Sequence, residues 1–303
     1  MLFRSCLLRG CIDFEKSRVK PRNERGSSRK PGRRPERSRG PQRGTAPRGV
    51  RDDKGLGGTQ IEGRQAVREL LLAGRRRVHE ILISEELDEN PVMSDILELA
   101  RDQRVPVRKI ARRELEREAR SEAPQGVIAF AQELSESDLA DFVAGSSAKK
   151  KPFLIAVDGV TDPGNLGAIL RSCDGAGVDG VILPKHRAVH VTPTAAKSAA
   201  GAVEYVPMCI VGGLPTALRQ LKEAGVWIVG LHDSADKSIF DLGDLALEPI
   251  CLVLGAEGPG LSRLVRERCD VLVSIPMLGS LSSLNVSAAT ALATYEIVRA
   301  RRA

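Results

Sequence analysis

The stretch that decides the fold is FLIAVDGVTDPGNLGAILRSCD, residues 153–174. Its first eight residues are almost all apolar and predict a buried β-strand. A polar loop with a proline and a glycine follows, and the remainder has the character of a helix that starts after that loop. A strand, a loop and a helix in this order are typical of the units that build parallel α/β sheets.

The same pattern recurs toward the C-terminal end of the chain. Five further apolar stretches predict strands, with helical stretches between them: GVILP (180–184), VEYVPMCI (203–210), VWIVGL (226–231), ICLVLG (250–255) and VLVSIP (271–276). Strands that are apolar without interruption belong to a sheet that is covered on both faces. We therefore predict a doubly wound α/β domain over residues 152–303, which places its ligands at the carboxyl ends of the strands.

A smaller α/β domain is predicted over residues 57–142. IEGRQAVRELLLAG (61–74) predicts a helix that ends at Gly74, with an apolar face made of Ile61, Val67, Leu70 and Leu71. The next segments alternate between strand and helix: VHEILIS (78–84), VMSDILELARDQ (92–103), VPVRKI (105–110), RRELEREAR (112–120) and GVIAFAQ (126–132). This alternation predicts a parallel or mixed sheet. Residues 143–151, with Gly, Ser and Lys but no periodicity, are expected to be a linker.

The positive charge of the chain is concentrated at its N-terminus. The formal net charge is +7, but residues 1–50 hold 15 Lys and Arg against four acids, a net of +11. The remainder holds 31 Lys and Arg against 35 acids, a net of −4. Residues 1–56, rich in Arg, Gly, Pro and Ser, are therefore expected to be a disordered tail that binds phosphate backbones without sequence preference. The alternative is a solubilising or misassigned leader.

The rest of the composition bounds the class of protein. The sequence contains no run of about 18 apolar residues, so a membrane span is not expected. The start, MLFRSCLLRGCI (1–12), is too short and interrupted for a secretory signal, whereas a transit peptide stays open, with Asp13 and Glu15 against it. Six widely spaced cysteines and four histidines have no zinc-site spacing. We expect reduced thiols, no metal site and a cytoplasmic protein.

Three segments that follow predicted strands carry residues that a plain loop does not need. In the first, VDGVTDPGNLGAILRSCD (157–174), Gly164 and Gly167 allow close approach of the backbone. Asn165 is placed to cap the following helix, and Arg171 lies two turns into that helix. Taken alone, the segment is equally an ordinary tight turn with a solvated arginine.

The other two segments lie nearer the C-terminus. LVLGAEGPGLS (252–262) opens from a strand into a glycine-rich turn around one carboxylate, Glu257, and matches neither a dinucleotide fingerprint nor a P-loop. SIPMLGSLSSLNVSAATALATYEIVR (274–299) predicts a strand that ends at Pro276, a Gly/Ser loop and a helix that starts near Ser283, with Asn285 in its first turn. Alone, each has a plain alternative, namely an ordinary turn and a capped core helix.

Together the three segments resemble, in order and spacing, the three motifs of the SpoU (TrmH-like) RNA 2′-O-methyltransferases. The resemblance covers residues 152–303. In addition, GRQAV (63–67) and PQGVIAFAQ (124–132) are similar to the two ends of the substrate-binding domain of the RlmB-like, ribosomal-RNA branch. The resemblance implies an α/β SPOUT domain whose parallel sheet carries a trefoil knot, and a small domain of the L30e/L7Ae type. It also implies bound S-adenosylmethionine and a homodimer with active sites near its interface.

The resemblance implies roles for individual residues as well. Five residues match catalytic positions of the family: Asn165, Arg171, Glu257, Ser283 and Asn285. Four match positions where the cofactor lies against the backbone: Leu254, Gly255, Ile275 and Leu284. Because all of them are present, a homologue without catalysis is not favoured.

The implied reaction moves a methyl group from a sulfonium to a ribose 2′-hydroxyl. Alignment of donor and acceptor contributes on the order of 7–11 kcal/mol. Removing the proton of a guanidinium at pH 7 costs about 7–9 kcal/mol, so we favour Arg171 as a cation that holds an RNA phosphate and stabilises the developing alkoxide. Glu257 either orients Arg171 or shapes the cofactor loop. Neutral hydrogen bonds to the ribose or the carboxylates would come from Asn165, Ser283 and Asn285.

The extra N-terminal domain favours a guanosine of large-subunit (23S) ribosomal RNA as the substrate. Two alternatives act on or bind RNA: a tRNA ribose 2′-O-methyltransferase, and a non-catalytic RNA-binding or ribosome-assembly homologue. A third is a nucleotide-dependent oxidoreductase, which is disfavoured because the first strand of the C-terminal domain is not followed by G-x-G-x-x-G.

Overall fold

The computed structural model describes residues 55–86, 90–144, 151–186 and 188–302. Nearly all of the predicted disordered tail (1–56) and most of the predicted linker (143–151) lie outside the described residues. All of the described residues belong to one compact unit. Within that unit two sheets organise the chain, and we call residues 55–144 the N-terminal lobe and residues 151–302 the C-terminal lobe.

The N-terminal lobe is a four-stranded mixed sheet. Its elements are β1 (Gln60–Glu62), α1 (Arg64–Ala73), β2 (Val78–Ser84), α2 (Pro91–Asp102), β3 (Val107–Ile110), α3 (Arg112–Glu118), β4 (Val127–Ala131) and α4 (Asp141–Ala144). The strand order is β1-β4-β2-β3, in which β2 and β3 are parallel and the other neighbours are antiparallel. Each predicted strand and helix from residue 78 to residue 132 is present, with ends shifted by a few residues.

The sheet of this lobe is covered on both faces. Leu70 of α1 and Ile96 of α2 belong to one apolar cluster, and Leu115 of α3 belongs to a second cluster on the other face. The prediction that Ile61 lies on a helical face is wrong, since Ile61 is a residue of β1 and pairs with Ala129. The helix begins only after Gly63, whose φ of 95° turns the chain out of the strand.

The C-terminal lobe is a six-stranded sheet with helices on both faces. Its elements are β5 (Phe153–Asp158), α5 (Pro163–Ala176), β6 (Gly180–Pro184), α6 (Pro193–Ser198), β7 (Met208–Val211), α7 (Leu214–Glu223), β8 (Trp227–Leu231), β9 (Ile250–Gly255), α8 (Arg263–Arg266), β10 (Val271–Val273) and α9 (Val286–Arg302). The strand order is β10-β8-β9-β5-β6-β7, and every neighbouring pair is parallel. The predicted parallel α/β architecture is confirmed.

The central strand β5 is apolar from Phe153 to Val157 because both of its faces are covered. Ile155 and Val157 pack into a cluster with residues of α5, α6 and α9, whereas Leu154 and Ala156 pack into a cluster with residues of α7 and α8. Alternate side chains of a strand point to opposite faces. Both faces are buried from Phe153 to Val157, so no position in that stretch is left for a polar residue, and Asp158 comes only at the end of the strand.

Two predicted strands of this lobe are much shorter than their apolar stretches. VEYVPMCI was predicted as one strand, but β7 begins only at Met208, and residues 202–204 form a 3₁₀ turn. The strand predicted to end at Pro276 ends at Val273. There the chain leaves the sheet because Ser274 pairs with another loop, its N–H donating to Lys237 O and its carbonyl accepting from Ile239 N–H.

A buried ion pair joins the two lobes. The Arg76 guanidinium donates to both carboxylate oxygens of Glu204, over 2.5 and 2.9 Å, and also to the carbonyls of Gly58 and Gln132. The two side chains are only 5% and 1% exposed. Glu204 lies in the 3₁₀ turn that the sequence analysis assigned to a strand. The charge on Glu204 is thus held by an arginine of the other lobe.

A second polar contact between the lobes lies beside that ion pair. Tyr205 donates its hydroxyl hydrogen to Glu69 over 2.9 Å. Burial raises the pKa of Tyr205 to about 12, and the hydrogen bond to Glu69 acts in the same direction. Together with the ion pair, this contact fixes the N-terminal lobe against the segment between α6 and β7.

Three further features of the described residues concern membrane spans, cysteines and metal sites. No helix in the described ranges has the length and apolar character that crossing a membrane requires. The cysteines within those ranges are free thiols: Cys173, Cys209, Cys251 and Cys269. No set of three or more His, Cys, Asp or Glu residues in the same ranges is arranged to hold a metal ion.

Candidate active site

A cleft of about 450 Å³ opens at the carboxyl end of the six-stranded sheet. Its walls come from the ends of β8 and β9, from the loop after β9, and from the loop that joins β10 to α9. A doubly wound sheet binds ligands at this edge. The predicted cofactor-contacting residues Leu254, Gly255, Ile275 and Leu284 all line the cleft, as do Glu257, Ser283 and Asn285.

The loop after β9 is a tight turn with Glu257 near its tip. Ala256 and Gly260 exchange backbone hydrogen bonds of 3.2 and 2.9 Å, which closes the turn. The Asp158 carboxylate, at the end of β5, accepts the Ser262 N–H over 2.6 Å and anchors the loop to the sheet. A Cβ on Gly255 would lie 2.3 Å from the backbone of Gly260, so only glycine fits there. The glycine at position 255, next to this loop, is therefore required by the close approach of the Gly260 backbone.

Three side chains from three separate segments of the chain meet at the rim of this cleft. Asn285 donates from Nδ2 to Asn165 Oδ1 over 2.9 Å and to Glu257 Oε1 over 2.5 Å. Asn165 donates from Nδ2 to the same Glu257 oxygen over 3.3 Å. The Val286 N–H also points at that oxygen, at 3.4 Å. N–H donors that converge on one carboxylate oxygen form charge-assisted hydrogen bonds, which hold the loops in a fixed relation.

The orientation of the Asn285 amide is set by the helix that follows it. Its Oδ1 accepts from the backbone N–H of Ser287 over 2.9 Å and from that of Ala288 over 3.4 Å. An oxygen that caps a helix leaves the amide NH₂ facing away from the helix, here toward Asn165 and Glu257. The predicted start of this helix near Ser283 is corrected, because α9 begins at Val286 and Asn285 precedes it as the cap.

The capping role expected of Asn165 belongs to another residue. Asp162 accepts the Gly164 N–H over 2.8 Å and is the N-cap of α5. Asn165 lies within the first turn of α5, with its side chain turned toward Glu257. A cap needs an oxygen before the first turn, so the residue ahead of Pro163 takes this role. The amide of Asn165 instead bonds to Glu257 and Asn285 at the rim of the cleft.

Arg171 stands apart from the other predicted catalytic residues. It lies on α5, is exposed, and is absent from the walls of the cleft. Its guanidinium has no hydrogen-bond or ion-pair partner among the described residues. Of the two roles expected for Glu257, orienting Arg171 is not what its contacts do in this structure, because they go to Asn165, Asn285 and Val286.

Two polar residues of the cleft were not predicted from the sequence. His232 and Asp233 follow β8 directly and line the same cleft as Glu257. Asp233 Oδ1 lies 3.3 Å from His232 Nδ1. Ligands of such sheets bind at the carboxyl ends of the strands. The sequence LHDS follows directly after an apolar strand and could therefore have identified both residues.

Comparisons with known families match both lobes. The model described as the SpoU rRNA Methylase family matches residues 152–295. The model described as RNA 2′-O ribose methyltransferase substrate binding matches residues 60–137. The first match contains the whole cleft, and the second contains the strands and most of the helices of the N-terminal lobe.

Curated relatives resemble the chain over both matched regions. The 23S rRNA (guanosine-2′-O-)-methyltransferase RlmB of Escherichia coli K12 is 41% identical over 247 residues, which are 80% of this chain and 98% of that protein. The protein of the same name from Shewanella oneidensis is 43% identical over 246 residues, 80% of this chain and 97% of that one. About a fifth of this chain therefore has no counterpart in either alignment.

A solved structure has the same arrangement of elements. The SpoU methyltransferase AviRb from Streptomyces viridochromogenes, in complex with the cofactor AdoMet, is 29% identical to this chain. The TM-score is 0.66, and the match covers 80% of this chain and 90% of AviRb.

Proposed function

The chain belongs to the SpoU rRNA methylase family, and on that premise we propose that it methylates the ribose 2′-hydroxyl of a guanosine in 23S ribosomal RNA with S-adenosylmethionine as the donor. The observation that carries the proposal is the hydrogen-bonded set Asn165, Glu257 and Asn285 at the rim of the cleft. The relatives named for this reaction align with both lobes. The same alignment favours ribosomal RNA over tRNA.

The residues of the cleft fit S-adenosylmethionine. A volume of about 450 Å³ lies within the ~300–1,000 Å³ typical of pockets for ligands of this size. Leu231, Ile275 and Met277 give apolar walls for the adenine ring, and the carboxylates of Asp233 and Glu257 suit a donor that carries a sulfonium and an ammonium. When bound, this donor supplies a methyl group that its sulfonium has already activated.

The residues around the cleft then have mainly to align the acceptor. Asn165 and Asn285 are held by Glu257, so their amides are preorganised before RNA arrives. Ser283, on the same loop as Asn285, offers a hydroxyl to the ribose. Arg171 grips the adjacent phosphate as a permanent cation and stabilises the oxygen as its proton leaves to the phosphate or to water.

The position of Arg171 supports a homodimer as the active species. On α9, Leu292 and Tyr295 are 44% and 51% exposed, although both are large and apolar. Tyr295 donates its hydroxyl hydrogen to the carbonyl of Gly175, one helical turn from Arg171 on α5. Pairing of this face with a second copy would cover the exposed apolar residues and would place Arg171 at the interface.

Finer features of the architecture belong to the same proposal. The trefoil knot is supported by the return of the chain from edge strand β10 to the middle of the sheet, where α9 packs on α5 and β9. The L30e/L7Ae likeness is supported by a four-stranded mixed sheet between helices. Domain limits at 57–142 and 152–303, with the linker 143–151 between them, and a cytoplasmic location complete it.

Methylation of purified 23S ribosomal RNA with radiolabelled S-adenosylmethionine tests the function. Nucleoside analysis of the product should place the label in 2′-O-methylguanosine. Glu257→Gln should lower the rate by at least about tenfold, because a neutral amide gives up the charge-assisted bonds to Asn165 and Asn285. Glu267→Gln, in an exposed ion pair with Arg263 at the end of α8, is the matched control and should keep the wild-type rate. No label with the wild-type protein, or label in a base, would refute the proposal.

A further inference from the structure

A second, smaller cleft of about 250 Å³ lies in the N-terminal lobe, away from the candidate active site. It is enclosed by the start of α1, the end of β2, the first turns of α3 and the loop 123–126 that leads into β4. This volume is below the ~300–1,000 Å³ of pockets that enclose drug-sized ligands. It suits one flat heterocycle better than a larger ligand.

The loop that forms one wall is held in an unusual conformation. Ala123 and Gln125 have φ of 51° and 58°, in the left-handed region that side chains seldom adopt. Such conformations are unfavourable for residues other than glycine and persist only when their surroundings hold them. Arg64 binds Gln125 twice, from its backbone N–H to Oε1 and from Nε to the carbonyl, each over 3.0 Å. Lys197 of the C-terminal lobe donates to the carbonyls of Ala123 and Glu122.

The lining combines an apolar floor with a polar rim. Leu115 and Pro124 are buried residues that line the cleft, and they give it an apolar floor. The Arg64 guanidinium, fixed by Gln125, adds a planar cation at the edge. The Glu86 carboxylate lines the same cleft and has no hydrogen-bond or ion-pair partner within the described residues. A flat ring with N–H donors on its edge suits the Glu86 carboxylate, and the face or an acceptor of the same ring suits the Arg64 guanidinium.

We propose that this cleft binds one unpaired base of the RNA substrate, and that Glu86 selects guanine. The inference rests on the proposed RNA methyltransferase function and adds a recognition site in the N-terminal lobe. Unpaired RNA bases are bound by stacking on arginine planes and by hydrogen bonds to their edges. A carboxylate offers two acceptors, which match the N1–H and N2–H donors of guanine, whereas the adenine edge presents one donor and one acceptor.

The cleft is fixed relative to the active site through α6. Lys197 holds the loop 122–123, and the next residue, Ser198, donates its hydroxyl hydrogen to the Gly164 carbonyl over 2.8 Å. Gly164 immediately precedes Asn165. A base held in the N-terminal lobe therefore lies at a fixed distance from the α5 turn that carries Asn165. This distance determines which nucleotide of the RNA strand reaches the methyl donor.

Exposed cations beside the cleft would bind the phosphates on either side of the bound base. Arg113 and Arg117 lie one turn apart on α3, so they share a face. Both are exposed, and Arg117 donates from Nε to the Arg113 carbonyl. The guanidinium of Arg113 has no ion-pair partner within the described ranges. Phosphate contacts of this kind position a strand without reading its sequence.

Fluorescence anisotropy with short uridine oligonucleotides tests the site. The full chain should bind an RNA with one central guanosine about tenfold more tightly than one with a central adenosine, as expected for a two-point contact to a base edge. Glu86→Gln should remove or reverse that preference, because an amide pairs with the adenine edge. Glu85→Gln, the exposed neighbour outside the cleft, is the matched control and should keep the guanosine preference.

The outcomes separate this inference from the proposed function. Equal binding of the two RNAs by wild-type protein, an unchanged preference in Glu86→Gln, or no measurable binding of either RNA overturns the guanine site. Calorimetric titration with S-adenosylmethionine and methylation of 23S ribosomal RNA are measured on the same samples. If both succeed while the base preference is absent, only the further inference fails; if both fail as well, the proposed function fails with it.

Discussion

Replacing Arg76 with alanine should destabilise the protein more than any exposed arginine replacement. Arg76 makes four hydrogen bonds: two to Glu204, which join the two lobes, and one each to the carbonyls of Gly58 and Gln132 within its own lobe. The variant removes all four and leaves the Glu204 carboxylate, which is 1% exposed, buried without its cation.

The magnitude follows from that burial. Removing one partner of a buried, hydrogen-bonded ion pair costs about 3–5 kcal/mol, mainly because the other charge stays out of water. This is a large part of the ~5–15 kcal/mol by which proteins of this kind are stable. The pair Arg219 and Glu223 makes an i,i+4 contact of 2.7 Å with side chains 52% and 62% exposed. Arg219→Ala should therefore cost only about 0.3–0.5 kcal/mol.

The assay is urea unfolding followed by fluorescence of Trp227, the one tryptophan of the chain. Arg76→Ala should lower the free energy of unfolding by about 3–5 kcal/mol, and the control Arg219→Ala should leave it nearly unchanged. The double variant Arg76→Met, Glu204→Leu should recover much of the loss, because no buried charge is left unpaired. An Arg76→Ala protein within about 0.5 kcal/mol of Arg219→Ala would refute the view that this ion pair fixes the lobes.

Three further changes test other parts of the molecule. Arg171→Lys should abolish turnover while the affinity for S-adenosylmethionine is kept, since a lysine cannot make the bidentate phosphate contact; a variant with more than about a tenth of the wild-type rate, ~1.4 kcal/mol in barrier, contradicts this role. Deleting residues 1–50, which carry a net charge of +11, should weaken RNA binding and flatten its salt dependence, and an unchanged slope argues against an RNA anchor. Because the pKa of Tyr205 is raised to about 12 by burial and by Glu69, its contribution to stability should be complete below about pH 10 and lost as the pH rises through about 12. Melting curves of Tyr205→Phe should lack that component, and identical pH profiles would contradict it.

The sheet of the C-terminal lobe was predictable because burial on both faces leaves a continuous apolar signal, as Leu154 and Ile155 show on β5. Ends of elements were less predictable, since they depend on contacts with distant residues. Glu204 left the predicted strand VEYVPMCI for a 3₁₀ turn, where it meets Arg76 of the other lobe. Ser274 left its strand for a partner loop near Lys237. Neither contact is visible in local periodicity.

The candidate site was also predictable from the sequence only in part. Asn165, Glu257 and Asn285 each had a plain alternative as isolated turn or cap residues, and only the motif resemblance joined them before the structure brought them into hydrogen-bond contact. The start of α9 was misjudged because the Ser-rich loop contains several residues that are able to cap a helix, and Asn285 is the one that does. Asp233 was missed although it follows a strand as directly as Glu257 does.

The central claim is that one cleft, built by three loops, serves ribose methylation of 23S ribosomal RNA. The measurement that tests it most directly is a map of 2′-O-methyl marks in ribosomal RNA from cells that lack this protein. We predict that one guanosine mark is missing, and that the wild-type chain restores it while Glu257→Gln does not. A complete set of marks in those cells, or restoration of the mark by Glu257→Gln, would contradict the account.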